Sequence, residues 1–487
     1  MVFSSLLFVY AFLPICLAFY GLAKGIKAKN IVLLIFSLVF YAWGEPVYIA
    51  ILILMTLADW LITLAIDKSE KNTKRKFLII LACIVNLGLI GVFKYTGFLL
   101  TNIHEIFGVP EIIPRIALPI GISFYTFQLL SYVVDVYRKE VPAQKNFFWL
   151  LLYSSLFYQC IAGPIVRYKD VDYEILHRRT KSREVVDGIT RFSIGLAKKA
   201  LIANTCGNLS DTLLVADSAI AENVTLALSE LSSRSVAGVW LGVLFYMLQI
   251  YLDFSAYSDM AIGMGLMVGF HFKENFNYPY VAKSVTDFWR RWHISLSTFF
   301  RDYVYIPLGG NRNGTLKTYR NILVVWLLTG LWHGASWNFV LWGLFFCIFL
   351  VIEKLGLLKI LNKIPTLFSH AYLLIVVYFG WILFRYSDFS FIPVVIKGLF
   401  GLNGNPLIDF ETKTIFLGNV FFIIVALLAV TPLARNVAGK LKPRKDSKRV
   451  IKILYNALAS LLPIALLILS TFNLVGDSYN PFLYFQF

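Results

Sequence analysis

Charged residues are scarce in this chain of 487 residues. Asp, Glu, Lys and Arg together make up 15% of it, whereas they make up roughly 25% of an ordinary soluble domain. Hydrophobic residues reach 58%, and apolar runs recur along the whole length, which leaves no stretch for a sizeable soluble domain. We therefore predict an all-α polytopic membrane protein with a single membrane domain over residues 1–487, because a backbone inside lipid must satisfy its own hydrogen bonds.

Acidic residues are the scarcer charge type, with 28 Asp and Glu against 45 Lys and Arg, which gives a formal net charge of +17. In a soluble protein such an excess favours nucleic-acid binding. Here the basic residues cluster in short loops between apolar runs, as they do in the cytoplasmic loops of membrane proteins. We therefore predict a multi-pass protein in contact with membrane lipid, and no nucleic-acid partner.

Cysteine is also rare. The five cysteines are scattered and form no CxxC pair, so we expect neither a disulfide framework nor a zinc site, and no metal. The chain has no GxSxG elbow, no P-loop and no glycine-rich dinucleotide turn. If the protein is an enzyme, its nucleophile has to be a substrate group or a less familiar side chain. Residues 1–25 lack a basic n-region and a clear small-residue cleavage site, so we expect a retained first span rather than a signal peptide.

Apolar stretches that can serve as membrane spans follow one another along the chain. They lie at about 3–23, 31–43, 47–66, 77–100, 116–137, 147–165, 186–205, 236–270, 322–352, 368–384, 415–434 and 453–475. Basic residues predict a cytoplasmic location for 166–184 and 436–449, and the polar stretch 210–230 is predicted to lie outside the cell.

The stretch 147–165 conflicts with a simple alternation of spans. When the spans are counted from the N-terminus, the chain after this stretch should lie outside the cell. Nine Lys and Arg follow within 166–199, however, and basic loops indicate the cytoplasmic side. A segment that enters the membrane and returns on the same side, broken at Gly163 and Pro164, would remove the conflict. Irregular backbone at membrane depth is tolerated only where it is buried in protein or lines a cavity, so this interpretation also predicts a cavity. A miscounted span is the alternative.

A polar stretch, "DFWRRWHISLSTFFRDYVYIPLGGNRNG", occupies residues 287–314. Helical spacing gives it one apolar stripe, made of Phe288, Trp292, Leu296 and Phe299. The charged residues between them are too many for a helix that crosses lipid, so we predict an amphipathic helix lying at the cytoplasmic interface. Such a helix can also be an anchor and nothing more.

The stretch "LTGLWHGASWNFVLWG", residues 328–343, places His333 inside a run from Ile322 to Ile352 that has no charged residue. A lone histidine in a helix is often structural, but polar groups inside a bilayer are costly and are functional candidates by default. A neutral imidazole there can accept a proton from a nucleophile. Gly330 and Gly334 could open backbone space for a ligand. We take 284–352 as the candidate catalytic region.

The C-terminal stretch 476–487 ends in "NPFLYFQF". Four aromatic residues in the last six are unusual for a solvated tail, so we expect this tail to pack into the protein. Tyr484 contributes a phenol with a pKa of about 10, which a nearby base can activate as a nucleophile.

Three of these motifs carry a resemblance to a known family. "WRRWHISLSTFFRDYVYIPLGG", "TGLWHGASWNFVLWG" and "NPFLYFQF" resemble the membrane-bound O-acyltransferase (MBOAT) family, in its bacterial alginate O-acetyltransferase branch, and the likeness runs over most of the chain. The resemblance implies a ring of about 11 transmembrane helices, with re-entrant and interfacial helices, around a central tunnel. It makes His333 the family's essential histidine and His293 the second polar position, which is Asn or His across the family.

The resemblance also implies a route for an acyl group. An acetyl group would arrive from a cytoplasmic thioester, of which acetyl-CoA is the simplest, and would leave to an extracellular SGNH-type esterase partner. That partner would acetylate an exopolysaccharide or a cell-wall polysaccharide, which places the protein in a bacterial cytoplasmic membrane. In teichoic-acid D-alanylation a separate small protein ends in a similar aromatic tail whose tyrosine is proposed to carry the acyl group. Here Tyr484 would have that role.

Two other functions compete with this one. A transporter or lipid-linked glycan flippase could use the same polar stretches to line a pathway, and a scaffold subunit of a polysaccharide-secretion complex needs no chemistry at all. The acyltransferase hypothesis accounts for the buried histidine, the re-entrant segment and the aromatic terminus together. No motif selects the polysaccharide.

Overall fold

The computed structural model describes residues 1–108, 116–160, 163–443 and 448–476. All regular secondary structure in these ranges is helical, so the predicted all-α class is confirmed. The chain divides into two compact units. The first consists of Met1–Phe192, Tyr257–Glu274 and Ser295–Gly310, and the second of Ser193–Ala256, Asn275–Ile294 and Asn311–Phe487.

The first unit is formed mainly by the N-terminal helices. These are α1 (Leu13–Leu22), α2 (Gly25–Gly44), α3 (Ile49–Lys68), α4 (Asn72–Ile90), α5 (Thr96–Phe107), α6 (Ile122–Tyr137), α7 (Phe147–Ser155), α8 (Tyr168–His177) and most of α9 (Ser182–Ala197), with π-helical turns at Phe8–Phe12, Gly91–Tyr95 and Arg301–Tyr305. Helices α3, α4 and α6 pack on one another. The Asn86 amide donates to both carboxylate oxygens of buried Asp59 at 2.9 Å, which ties two apolar helices by a polar contact.

The second unit contains the remaining helices. These are α10 (Asn204–Leu214), α11 (Asp217–Glu222), α12 (Val224–Ser232), α13 (Val236–Val268, whose last part belongs to the first unit), α14 (Val285–Arg291), α15 (Ile294–Phe300, mostly in the first unit), α16 (Thr315–His333), α17 (Trp337–Ile352), α18 (Leu358–Leu361), α19 (Thr366–Arg385), α20 (Phe391–Leu399), α21 (Phe410–Gly418), α22 (Val420–Ala429), α23 (Leu433–Leu441) and α24 (Arg449–Gly476). Shorter helical turns lie at Lys198–Ala203, Pro279–Val281 and Glu353–Leu357.

Several of these helices are long and apolar enough to cross a membrane. Within the described ranges they are Gly25–Gly44, Ile49–Lys68, Asn72–Phe107, Val236–Val268, Thr366–Arg385 and Arg449–Gly476, and α21 with α22 forms a further pair bent by 63°. The protein is therefore a multi-pass membrane protein. The described residues give 6 spans, or 7 with the bent pair, so the expected number of about 11 is not confirmed, and the ring and tunnel stay predictions.

The stretch 147–165 does not form one straight span. Helix α7 has only 9 residues, which is about 14 Å and too short for a hydrocarbon layer of about 30 Å. Beyond it the backbone of 163–167 is buried but not helical. The amide of Ile165 donates to Ser295 Oγ at 3.0 Å, and Tyr153 donates to the carbonyl of Val166 at 2.9 Å. The helix thus ends at Ser155, earlier than the predicted break at Gly163 and Pro164, which lie in the non-helical part, and the return to the same side stays a prediction.

The single amphipathic helix predicted from residue 287 onward is wrong. The chain forms two short helices, α14 and α15, separated at Trp292 and His293. The segment from Asn275 to Asn277 causes the break, because it bonds to the backbone on both sides. The amide of Asn277 donates to Arg291 O and the amide of Ile294 donates to Asn275 O, both at 2.9 Å. The apolar stripe is buried in protein rather than laid on lipid.

Candidate active site

The charge-free run 322–352 is a helical hairpin and not one span. Helix α16 ends at His333, three residues turn the chain, and α17 begins at Trp337. The apolar part of α16 is about 18 Å long and α17 about 24 Å, so neither helix crosses a hydrocarbon layer of about 30 Å. Polar residues mark the open end of the hairpin, where α16 starts and α17 stops. His333 therefore lies at the closed end of the hairpin, buried in protein.

Glycines let the two helices of the hairpin approach closely. A Cβ atom on Gly330 would collide with the carbonyl oxygen of Phe339, and one on Gly343 with the carbonyl oxygen of Trp326. Small residues at such positions are typical of tight helix pairs in membranes. The expectation that Gly330 and Gly334 leave space for a ligand is wrong, because the Phe339 ring and backbone fill it.

Aromatic side chains surround His333, which is 3% exposed. Its ring makes edge contacts with Trp332 and Trp342, both at 5.0 Å between centroids, and with Phe384 at 5.3 Å. Phe384 belongs to the last turn of α19. The closed end of the hairpin thus lies beside the end of a helix long enough to cross the membrane, in surroundings made mainly of aromatic rings.

His293 joins the same group of rings. It packs edge-on against Phe254 at 4.8 Å and against Trp332 at 5.7 Å, and it is 1% exposed. Trp332 therefore lies between the two predicted histidines, which the structure brings into one aromatic cluster. The backbone of His293 has φ 45°, a left-handed conformation that strains a side chain with a Cβ and is often found at functional sites. Burial lowers the pKa of His293 to about 3, so this ring is neutral and a weak base.

Trp342 supplies an unused hydrogen-bond donor to this cluster. Its side chain is fully buried, and its indole N–H has no partner in the part of the chain that the structure describes. A buried donor without an acceptor is costly, which makes it a feature to be explained. Its ring packs against His333, which places a hydrogen-bond donor beside an imidazole, two kinds of group that can serve acyl transfer.

Comparison with known proteins identifies the family. The family model "MBOAT, membrane-bound O-acyltransferase family" matches residues 47–392, which include both His293 and His333. The chain belongs to the membrane-bound O-acyltransferase family. It is 36% identical to the probable alginate O-acetylase AlgI of Azotobacter vinelandii over all of both chains. It is 34% identical to the peptidoglycan O-acetyltransferase of Helicobacter pylori over 84% of this chain and 81% of that protein.

A more distant relative has a different acyl group in its name. The chain is 27% identical to the teichoic acid D-alanyltransferase of Bacillus subtilis over 56% of this chain and 68% of that protein. The predicted family and the predicted O-acyltransferase activity are confirmed by these matches, which favours the enzyme over the transporter, flippase and scaffold hypotheses.

In the MBOAT enzyme a buried carboxylate holds α14, the helix that leads to His293. The sequence analysis did not single out this carboxylate. Glu353, 1% exposed, directly follows α17. Its oxygens accept from the Val285 amide at 2.6 Å and from the Thr286 amide and hydroxyl at 2.9 and 2.6 Å. Two of these donors are the first backbone amides of α14, where a negative charge is favourable. Glu353 therefore fixes α14 against the base of the hairpin that bears His333.

A buried ion pair includes the residue that precedes Phe254, one of the rings packed on His293. Lys199 Nζ and Asp253 Oδ1 are 2.7 Å apart with side chains 4% and 1% exposed, and Asp253 precedes Phe254, which contacts His293. Ionisable residues inside apolar helices are functional candidates by default. That signal was present in the sequence, since both residues interrupt apolar stretches, and would have found the pair.

The third predicted catalytic residue, Tyr484, lies outside the described residues, as does nearly all of the tail 476–487. The structure therefore brings together two of the three predicted site residues and does not test the third. Among the described residues no group of three or more His, Cys, Asp and Glu side chains could hold a metal ion.

Proposed function

We propose that this O-acyltransferase carries an acetyl group across the bacterial cytoplasmic membrane. The donor is a cytoplasmic thioester, acetyl-CoA, and the acetyl group leaves to an extracellular SGNH-type esterase partner that acetylates an exopolysaccharide or cell-wall polysaccharide. The observation that carries the proposal is the burial of His333 at the closed end of a helical hairpin that has no charged residue between 322 and 352. The names of the relatives, which act on alginate and on peptidoglycan, support a polysaccharide as the final acceptor.

The transfer step needs a base, and His333 is the group we assign to it. Its neutral imidazole takes the proton of an acceptor hydroxyl as that oxygen attacks the thioester carbonyl carbon. The C–S bond then breaks, the imidazolium returns the proton to the departing sulfur, and the products are an oxygen ester and a thiol. Burial among aromatic rings excludes water, which would otherwise hydrolyse the thioester.

Trp342 and His293 have supporting roles in this proposal. The attacked carbonyl oxygen gains negative charge, and the unused indole N–H of Trp342 is a donor suited to it. We assign His293 a positioning role rather than that of the base. Its imidazole can still donate or accept a hydrogen bond to position a substrate group, which agrees with a family position occupied by Asn or His.

We assign the acceptor hydroxyl of the first transfer to Tyr484. Helix α24 follows the basic stretch 436–449 and ends at Gly476, so the positive-inside pattern directs the C-terminal tail outward. A phenol with a pKa of about 10 is a good leaving group for an acyl chain. An aryl ester thus keeps much of the transfer potential of a thioester, and the onward step to the partner requires no further energy source.

Mass spectrometry of the C-terminal peptide tests this proposal. Purified enzyme incubated with acetyl-CoA should gain an acetyl group on Tyr484, and Tyr484→Phe, which keeps the ring and loses the hydroxyl, should gain none and lose transfer to the partner. Tyr455→Phe, on α24, is the matched control and should behave as wild type. A fully active Tyr484→Phe protein would remove the relay, and an enzyme that releases no thiol from acetyl-CoA would contradict the donor.

A further inference from the structure

The first unit has a cavity of about 600 Å³ that takes no part in the chemistry above. It lies where α8 ends and the chain turns into α9, with Gly269 and His271 on another side and Ile26 of α2 at its edge. The lining is rich in groups that carry or can carry positive charge, namely His177, Arg178, Arg179, Lys181 and His271. All of these except His271 belong to the stretch 166–184, for which the sequence predicts a cytoplasmic location.

The acidic groups of this cavity are already engaged. Glu174 accepts from the His271 backbone amide at 3.1 Å and lies 2.7 Å from its ring Nδ1. Glu184 accepts from Lys181 Nζ at 2.9 Å, and this hydrogen bond holds the pKa of Glu184 below its ordinary value. The Arg179 guanidinium makes no ion pair with any carboxylate of the described residues. The cavity therefore keeps a surplus of positive charge.

Arg178 is held rigidly in the wall of the cavity. Its Nε donates to the hydroxyl of Tyr20 at 3.3 Å and to the carbonyl of Val268 at 3.2 Å. Its guanidinium lies over the Phe270 ring at 4.3 Å, and its second terminal nitrogen is buried with no partner among the described residues. Its Nη1 also donates to the carbonyls of Glu174 and Ile175, both at 3.3 Å, so Arg178 caps the C-terminal end of α8. The same bonds fix a positive charge in the wall of the cavity, and fixed cations around a cavity are the arrangement that recognises an anion.

The N-terminus of α2 adds to the positive field. Ile26 lies in the first turn of this helix, and the N-cap residue, Lys24, gives it no side-chain cap. The uncapped amides of a helix N-terminus carry partial positive charge and favour phosphate-like groups. Exposed apolar side chains, Leu22 and Leu176, border the same region, as expected where a protein surface meets the membrane interface.

We propose that this cavity binds a phosphate group, with Arg178 and Arg179 as its principal cations. Two sources can present that chemistry at a cytoplasmic membrane face: the head group of an anionic phospholipid, and a soluble phosphorylated compound such as a coenzyme. The coenzyme source rests on the proposed donor, acetyl-CoA, whereas the lipid source does not, and both can be tested by binding without any measurement of activity.

Binding measurements on purified full-length protein in neutral detergent test the proposal. The probes are phosphatidylglycerol in mixed micelles, coenzyme A and inorganic phosphate. Arg179→Gln should weaken binding of the best probe about tenfold, the effect of losing one charge-assisted contact. Arg183→Gln is the matched control, since Arg183 is a neighbouring arginine with a side chain 86% exposed that does not line the cavity, and it should bind as wild type does.

The pattern across probes identifies the source of the phosphate. Phosphatidylglycerol binding that coenzyme A does not displace assigns the site to a lipid head group, whereas coenzyme A binding in the absence of anionic lipid assigns it to a soluble compound. Equal affinities of Arg179→Gln and Arg183→Gln for every probe would overturn the proposal, as would a wild-type protein that binds none of the three. Because Arg179 is exposed and forms no ion pair with a carboxylate of the described residues, loss of folding does not confuse the comparison.

Discussion

Glu353→Ala should destabilise the enzyme more than the loss of any exposed carboxylate. The substitution removes the acceptor for the amides of Val285 and Thr286 and for the Thr286 hydroxyl. A buried polar group left without a partner costs about 1–3 kcal/mol, which applies to the Val285 amide, while the half-buried Thr286 groups add less because water can reach them. Because α14 leads directly to His293, the same change should also displace that ring and lower acetyl transfer.

The assay is the rate of thermal inactivation of purified protein in detergent, with acetyl transfer measured on the fraction that stays folded. Glu411→Ala is the control, since Glu411 is 52% exposed and pairs with Arg234 at 2.7 Å, and exposed pairs contribute only about 0–1 kcal/mol. Glu353→Gln keeps the shape of the side chain and one acceptor oxygen, so its rate of thermal inactivation should lie between those of Glu353→Ala and Glu411→Ala. A Glu353→Ala protein as stable and as active as Glu411→Ala would refute the reasoning.

Two further predictions concern the indole donor and the topology. Trp342→Phe keeps a buried ring and removes the N–H, so it should lower the turnover number on the order of 10²-fold. Trp326→Phe, in the same cluster, is the control and should change the turnover number little. Equal effects of the two substitutions would contradict the assignment of the Trp342 N–H as a donor to the substrate. The topology is tested by labelling single cysteines in a protein whose native cysteines have been replaced. Cysteines placed in 166–184 and 436–449 should react with reagents added on the cytoplasmic side, and those in 210–230 with reagents added outside. External labelling of 166–184 would contradict the re-entrant segment.

Composition was enough to predict the class of the fold. The shortage of charged residues and the recurring apolar runs indicate membrane helices because lipid leaves the backbone few alternatives. Composition cannot show where a run is interrupted. A charge-free stretch of 31 residues has the same hydropathy whether it crosses once or folds back, and only the short turn at Gly334, Ala335 and Ser336 distinguishes the hairpin.

The sequence was enough to identify the candidate histidines by residue type, but not the contacts that hold them in place. His333 is identifiable because a titratable group in an apolar run is costly. The break at His293 depends on backbone bonds to Asn275 and Asn277, which local spacing does not reveal. Glu353 comes directly after the apolar run and is indistinguishable from a loop carboxylate in the sequence. Its role follows from its burial and its contacts with α14, which are tertiary.

The most direct test of the account is the activity of His333→Ala. A positioned base contributes about 10²–10⁴-fold to such a reaction, so acetyl release from acetyl-CoA and polysaccharide acetylation in cells should fall by at least the lower figure, with expression and membrane insertion near normal. His370→Ala is the control, since that half-buried histidine contacts the carbonyl of Ala282 at 3.0 Å and should leave transfer close to wild type. A His333→Ala enzyme that retains most of its activity would contradict the assignment of His333 as the base.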